Sequence, residues 1–182
     1  MPMRMSLHRI RTCLEIGSVF DLALAVRCNR ASRSRVVRAL FRAVSRLGDG
    51  VFWYALMLAL PAAYGAHAFG PVLRMALAGA LGVAVYKWLK AATLRPRPYR
   101  IDPDIVAAAA PLDQFSFPSG HTLHAASMSL IACASFPELA PVLFPFAALV
   151  AASRPILGLH YPSDVLAGAA LGAVVAGLVL SV

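Results

Sequence analysis

Five apolar stretches follow one another along the chain after residue 50, and short polar joints separate them. Each is close to the roughly 20 residues that an α-helix needs to cross the hydrocarbon core of a bilayer. The pattern therefore predicts an all-α, polytopic transmembrane helix bundle of about five spans. The predicted spans are Val51–Ala68, Val72–Lys90, Ser119–Phe136, Leu139–Leu157 and Ser163–Val182.

The third predicted span is the least hydrophobic of the five. It carries two histidines and two serines, namely His121, His124, Ser127 and Ser129. Polar side chains within membrane segments almost always face the interior of the bundle. We therefore expect this helix to pack inside the bundle and not against lipid.

Small residues recur four positions apart in two of the spans. Gly168 and Gly172 form a GxxxG pair, and Ala78 with Gly82 makes a looser version. This spacing lets two helix backbones approach closely. We interpret these residues as helix-packing positions and not as part of a phosphate-binding loop.

The segment before the first span has the pattern of an amphipathic helix. Between residues 36 and 47 the apolar side chains recur at helical spacing on one face, and Arg35, Arg38, Arg42 and Arg46 lie off that face. Such a helix suits the membrane surface, with its arginines toward anionic headgroups. We therefore expect an N-terminal amphipathic interfacial helix. The predicted division is a basic interfacial segment, residues 1–49, and a transmembrane domain, residues 50–182.

Composition supports a membrane protein, because 60% of the residues are hydrophobic and only 14% are charged. Soluble domains are nearer half apolar and a quarter charged. The net charge is +9, and fifteen of the seventeen basic residues are arginine, a bias that suggests a GC-rich bacterial genome and a bacterial inner membrane. Nucleic acid is the other usual partner of an arginine cluster, but it is not expected beside a membrane anchor.

Neither a secretory signal nor a cysteine-based site is expected from the sequence. Residues 1–29 are broken by charged side chains, so they contain no apolar run of the kind found in secretory signals. The three cysteines have no metal-ligand spacing, and they predict neither a disulfide framework nor a redox centre.

The longest connection runs from Leu94 to Phe117 and contains four prolines. Four prolines prevent one continuous helix. Connections of this length in compact domains are usually functional. We therefore expect this segment to cover whatever site the protein has.

Polar residues from three distant parts of the chain fall at one membrane face if the spans alternate in direction. They are Lys90 and Arg97; Ser119, Gly120 and His121; and Arg154, His160 and Asp164. Each group alone has a simpler explanation, because basic residues at span ends extend toward headgroups and a serine before a helix is usually an N-cap. Their convergence in this order predicts one functional site.

The spacing of these residues resembles the signature of the type 2 phosphatidic acid phosphatase and vanadium haloperoxidase superfamily. That signature reads Lys-x6-Arg-Pro, then Pro-Ser-Gly-His, then Ser-Arg-x5-His-x3-Asp. The matching residues are Lys90, Arg97 and Pro98; Pro118, Ser119, Gly120 and His121; and Ser153, Arg154, His160 and Asp164. The resemblance extends from about Lys90 to Leu166, and the apolar spans fit the family's membrane branch.

The resemblance implies a lipid phosphate phosphatase that hydrolyses a phosphomonoester or a pyrophosphate. It implies that His160 attacks phosphorus and forms a phosphohistidine, with Asp164 orienting His160. It further implies that His121 protonates the leaving oxygen and then acts as base on water. The family's hydrolases need no metal, so neither a metal nor a cofactor is expected.

The residue types suit phosphoryl transfer on physical grounds as well. Lys90, Arg97 and Arg154 supply three cations, and a charge pair about 4 Å apart attracts by roughly 4 kcal/mol at an effective dielectric near 20. A helix that begins at Ser119 and Gly120 presents unpaired backbone N–H groups and the positive end of its dipole. These five residues are therefore predicted to bind the phosphate.

The motif leaves several neighbouring polar residues without a role. We expect His124 to be a core residue beside the site and Arg95 to face headgroups. Asp102, Asp104 and Asp113 have a spacing that matches no recognised metal site.

Two other functions remain open at the level of sequence. The same residues hold vanadate in the haloperoxidase branch, although five apolar spans argue against that branch, and a catalytically silent membrane scaffold is disfavoured by the intact histidines. The arginines before the first span favour a cytoplasmic active face. A span around Gly17–Val26 would reverse this assignment, and many bacterial members of the family that the motif resembles work on the periplasmic side. Neither the particular lipid nor the oligomeric state is readable.

Overall fold

The computed structural model describes residues 18–182, and it is helical apart from its connections. We number the helices α1 to α8 in chain order. They are residues 18–29 (α1), Arg35–Arg46 (α2), Phe52–Tyr64 (α3), Phe69–Thr93 (α4), Pro98–Ile101 (α5), Gly120–Ser135 (α6), Ala140–Ile156 (α7) and Pro162–Leu180 (α8). Short helical turns join several of them, and within the described range the backbone forms no β-sheet.

Each of the five predicted spans overlaps one long helix, and in chain order these are α3, α4, α6, α7 and α8. Three stretches of the described chain are long and apolar enough to cross a membrane: Arg35–Thr93, Pro137–Ile156 and Pro162–Leu180. The first stretch contains both α3 and α4, which the turn Gly65–Ala68 separates. The protein is therefore an all-α integral membrane helix bundle, as the hydrophobic pattern predicts.

Helix α6 lies in the interior of the bundle, between α4, α7 and α8. The side chains of Ser127 and Ser129 are fully buried, as are Leu123 and Ile131 on the same helix. The prediction of a buried third span is confirmed. Helix α6 has only 16 residues and several polar side chains, so it is not one of the three stretches that are long and apolar enough to cross a membrane.

The small residues bring α8 and α4 close to α6. A Cβ on Gly168 would lie 2.5 Å from the carbonyl oxygen of Ser119, and one on Gly172 would collide with the carbonyl oxygen of Leu123. A Cβ on Gly82 would lie 2.7 Å from the Leu123 side chain. The packing role predicted for these glycines is confirmed, since any larger residue would push the helices apart.

Helices α1 and α2 pack at the end of the bundle where the 94–117 connection lies. Asn29 donates from its Nδ2 to the carbonyl oxygens of Val106 and Ile156, at 3.0 and 2.9 Å. On α2, Val44 is buried in the main core, and Arg42 donates to the carbonyl oxygen of Ala108. The predicted division at residue 49 falls in the irregular turn Leu47–Val51, and it stays a prediction. Cys13 and most of the stretch assessed for a secretory signal lie outside the described residues.

Candidate active site

A cavity of about 760 Å³ opens at the end of the bundle where α4 and α7 finish and α6 begins. Six of the eight residues predicted for the site line it: Lys90, Arg97, Gly120, His121, Arg154 and His160. The other two, Ser119 and Asp164, are fully buried behind its wall. Leu112, Asp113 and Phe115 from the long connection line it too, which places that connection beside the predicted site.

The backbone between α7 and α8 places His160 at this cavity. Helix α7 ends at Ile156 and α8 begins at Pro162, whose ring is compatible with the first turn of a helix. Between them Gly158 has φ +74°, and a Cβ there would lie 2.7 Å from the carbonyl oxygen of Val106. The reversal therefore needs glycine, and it turns the His160 ring inward.

The imidazole of His160 is almost completely buried among cations. Its Nε2 lies 3.3 Å from Nη1 of Arg97, and its Nδ1 lies 3.6 Å from Oδ2 of Asp164. Burial, together with the positive charges of Arg154, Arg97 and Lys90, lowers the pKa of His160 well below its ordinary value. The ring is therefore neutral at physiological pH, which is the form in which imidazole is a nucleophile.

Asp164 is held by a network that the sequence pattern did not indicate. Its Oδ1 accepts from Nη1 of Arg95 at 2.6 Å, and its Oδ2 accepts from the backbone N–H of Tyr161 at 2.9 Å. Arg95 also donates through Nη2 to Oδ2 of Asp21 on α1, at 2.7 Å. Asp21 in turn accepts from the backbone N–H and the hydroxyl of Ser163. Arg95 thus ties α1 to the carboxylate beside His160. From the sequence, only a headgroup contact is expected for this residue.

Lys90 and Arg97 share the carboxylate of Asp113. Lys90 Nζ lies 2.8 and 2.7 Å from its two oxygens, and Arg97 Nη2 lies 2.8 Å from Oδ1. Burial alone would raise the pKa of Asp113, but the hydrogen bonds and charges of Lys90 and Arg97 lower it below its ordinary value. Asp113 is therefore an ionised partner of the two cations.

Across residues 18–182, no group of three or more His, Cys, Asp or Glu side chains could hold a metal ion.

Arg154 enters the cavity from the end of α7. Only 3% of it is exposed, and its Nη1 lies 2.5 Å from the hydroxyl of Ser45 on α2. Among residues 18–182 its Nε finds no hydrogen-bond partner. Burying a charged guanidinium with an unpaired nitrogen is unfavourable. An anion in the cavity would supply the missing partner.

Ser119 caps α6. Its hydroxyl accepts from the backbone N–H of Thr122 at 3.4 Å and lies 2.9 Å from the Thr122 hydroxyl. Its own backbone N–H donates to the carbonyl oxygen of Asp164 at 3.0 Å. Gly120, by contrast, lies in the cavity wall. Direct phosphate contact by the Ser119 hydroxyl stays a prediction, because in this structure that hydroxyl is engaged in capping the helix.

Both histidines of α6 line the cavity, but their nearest polar partners differ. Nε2 of His121 lies 3.4 Å from Oδ1 of Asp49. His124 lies one turn further along, with Nδ1 2.9 Å from the carbonyl oxygen of Gly120 and Nε2 3.3 Å from that of Gly79. Both ring nitrogens of His124 thus lie beside backbone carbonyls, and the nitrogen that carries the proton donates to one of them, in keeping with the expected structural role.

Comparison with known proteins identifies the same region. A family model described as PAP2 superfamily matches residues 71–182. The structure of a transmembrane PAP2-type phosphatidylglycerolphosphate phosphatase from Bacillus subtilis superposes with a TM-score of 0.74 and 26% identity, covering 91% of this chain and 85% of that one. Aquifex aeolicus LpxE gives a TM-score of 0.73 and 25% identity, covering 88% and 94%.

Two curated relatives are also similar to this chain in sequence. They are decaprenylphosphoryl-5-phosphoribose phosphatases from the CDC 1551 and H37Rv strains of Mycobacterium tuberculosis, each 48% identical over 84 residues. The match takes in 44% of this chain and 46% of each relative, so it spans about half the length of those proteins.

Proposed function

Because the chain belongs to the PAP2 superfamily, we propose that it is a membrane phosphatase that hydrolyses a lipid phosphomonoester or pyrophosphate. The observation that carries this proposal is that one cavity brings together His160, His121, Lys90, Arg97 and Arg154. Phosphoryl transfer depends mainly on holding the transferred group and stabilising its charge.

The far side of the cavity supports a lipid as the substrate. It continues between α3 and α4, where its lining is apolar and includes Trp53, Met57, Ala80 and Val83. Pockets that bind an apolar group are lined in this way, with a few polar groups that fix its orientation. The phosphate would lie among the cations while the hydrocarbon chain enters between the two helices.

In the proposed reaction, neutral His160 attacks phosphorus as the bond to the leaving oxygen breaks. His121 gives its proton to that oxygen, and the phosphoryl group is left on the His160 ring as a phosphohistidine. Water then attacks phosphorus, His121 takes the proton of that water, and phosphate leaves with His160 restored. Asp164 orients the His160 ring, and no step requires a metal.

The negative charge of the phosphoryl group would be stabilised by Lys90, Arg97 and Arg154, with the backbone N–H groups at Gly120 as further donors. The phosphate would replace the Asp113 carboxylate as the partner of Lys90 and Arg97. It would also provide an acceptor for the unpaired Nε of Arg154.

The relatives suggest which lipids to test first. The mycobacterial proteins are named for decaprenylphosphoryl-5-phosphoribose and the Bacillus protein for phosphatidylglycerolphosphate. A phosphate monoester on a lipid is common to both names, so it is the first of the two proposed groups to test.

The decisive experiment measures phosphate release by detergent-purified protein from these two lipids and from phosphatidic acid, with and without EDTA. We expect release that EDTA does not diminish and that His160→Ala abolishes. Activity that disappears with EDTA, or that survives in His160→Ala, would overturn the mechanism. Halide oxidation on adding vanadate and peroxide would favour the haloperoxidase reaction, and inactivity on every lipid phosphate would favour a scaffold.

We further propose that the protein lies in a bacterial inner membrane with its active face in the cytoplasm. The arginines from Arg27 to Arg46 lie on helices that pack at the same end as the cavity, and basic residues concentrate on the cytoplasmic side. Helix α8 begins at that end and finishes at the other. A reporter fused after Val182 should therefore be active in the periplasm, and cytoplasmic activity would reverse the orientation.

A further inference from the structure

The turn between α2 and α3 breaks an otherwise continuous helical run beside the cavity. Within Leu47–Val51 the backbone leaves helical geometry at Asp49, with φ −82° and ψ 24°, and at Gly50, with φ 116°. Such interruptions of a helix occur frequently at functional sites. The interruption here has a direct consequence, because it puts the Asp49 carboxylate in the cavity wall.

The two residues that flank Asp49 are glycines for structural reasons. A Cβ on Gly48 would lie 2.7 Å from the side chain of Val150 on α7. Gly50 lies in the left-handed region of φ, which side chains with a Cβ rarely adopt. The turn is thus pressed against α7 and bent sharply toward α3, and both features keep Asp49 facing α6.

Asp49 faces His121. Its Oδ1 lies 3.4 Å from Nε2 of His121, and within residues 18–182 no other carboxylate comes within 4.0 Å of that ring. The sequence motif does not include Asp49, which precedes the first motif residue by 41 positions.

Two cations near His121 oppose a positive charge on its ring, because like charges repel. They are Arg154 from α7 and Lys90 from α4, and the imidazoles of His160, from the turn before α8, and His124, from α6 itself, also lie near the ring. Asp113, from the connection before α6, is already paired with Lys90 and Arg97. The second residue of a helix is also near the positive end of the helix dipole, where a cation is unfavourable. A general acid at this position therefore needs a counter-charge of its own.

We propose that Asp49 is a positioning residue for His121, which it orients and whose protonated form it stabilises for proton transfer to the leaving group. This proposal rests on the proposed function. As the bond from phosphorus to the leaving oxygen breaks, the His121 proton moves to that oxygen and the ring becomes neutral. The proton of the attacking water returns the ring to its charged form in the second half of the reaction. Asp49 stays ionised throughout and takes no proton.

The test compares pH profiles of wild type, Asp49→Asn and Asp49→Glu on a lipid phosphate. In Asp49→Asn we expect the alkaline limb of kcat/KM to move to lower pH by about one unit, since an opposing charge at this distance shifts a titration by at least that much. We expect kcat at neutral pH to fall about tenfold, a fraction of what a general acid contributes, with little change in KM.

Asp49→Glu keeps the charge and should recover part of both properties. Asp104→Asn, which removes an exposed carboxylate on the long connection, is the matched control and should behave as wild type. A wild-type pH profile in Asp49→Asn, or a Glu variant no better than the Asn variant, would overturn the proposal.

A second measurement separates this proposal from the proposed function. Ring 1H–15N spectra of the protein in detergent, with the His121 signal assigned from His121→Gln, follow the protonation of His121 without any substrate. We expect this signal to titrate at lower pH in Asp49→Asn than in wild type, and an unchanged titration would overturn the role of Asp49. A wild-type protein inactive on every lipid phosphate would instead contradict the proposed function, whatever the spectra show.

Discussion

Two of the histidines that line the cavity each lie beside a carboxylate, and the two pairs are built differently. In the His160–Asp164 pair both side chains are buried, and Asp164 is held by Arg95 and by the backbone of Tyr161. In the His121–Asp49 pair the carboxylate is 40% exposed and lies on an irregular turn. In the proposed mechanism, His160 must keep one tautomer and one orientation as the nucleophile, which a rigid, buried network would provide. His121 would pass protons to a leaving oxygen and from water, and so it would need access to both.

The largest effect should come from replacing each histidine in turn. With p-nitrophenyl phosphate, whose leaving group needs no acid, His121→Ala should still form a phosphoenzyme but lose turnover by about 10²- to 10⁴-fold. His160→Ala should form none and lose turnover by about 10³-fold or more. Trapping radiolabelled protein by acid quench distinguishes the two variants. A phosphoenzyme in His160→Ala would place the nucleophile elsewhere.

The next largest effect should come from Arg95→Gln, which changes the hydrogen bonding of the His160–Asp164 pair and not that of the His121–Asp49 pair. It would leave Asp164 buried without its cation, and we expect a loss of about 2 kcal/mol in stability, below the usual figure for a broken buried pair because Arg95 is partly exposed. Turnover should fall by roughly 10- to 100-fold, because the His160 ring would lose its fixed partner. Thermal unfolding in detergent and kcat measure the two losses.

Arg100→Gln is the matched control for Arg95→Gln, since Arg100 is exposed five residues further on. It should leave both quantities within error of wild type. If Arg95→Gln were equally silent, Asp164 would not depend on Arg95, and the proposed rigidity of the His160 pair would be wrong.

A smaller effect is expected from Asp21→Asn. This change weakens the tie between α1 and Arg95 but leaves the Arg95–Asp164 bond in place. We expect kcat to fall about threefold and stability by about 1 kcal/mol, which is typical for a partly buried polar contact. The alkaline limb of the pH profile, which we assign to His121, should stay unchanged. Movement of that limb would show that the two pairs are coupled.

The smallest effect concerns the stability of the resting protein. The pKa of His160 is lowered by folding, so below about pH 6.5 the unfolded chain binds more protons there and stability falls as pH falls. We expect a lower unfolding temperature at pH 5.5 than at pH 7.5, and a smaller difference in His160→Gln. Asp113, whose pKa is lowered, contributes only in more acidic solution. Equal differences in the two proteins would contradict this explanation.

The helices and the motif residues were predictable because their signals are local. Apolar runs near 20 residues predicted all five long helices, and the interior position of α6 followed from its histidines and serines. Motif spacing selected six of the residues that line the cavity. Asp49, Arg95 and Asp113 were missed as site partners, since single aspartates and arginines near span ends carry no periodic signal.

The sequence alone determined where the five long apolar helices lie and which residues can carry phosphoryl chemistry, since each property depends on side-chain type and spacing within one segment. The tertiary structure alone decided which carboxylate faces which cation or histidine. Asp21 bonds to Ser163 across 142 positions, and Asp49 reaches His121 only because a turn with Gly50 at φ 116° bends the chain toward α6. Such partners are set by the way helices pack, which local sequence does not encode.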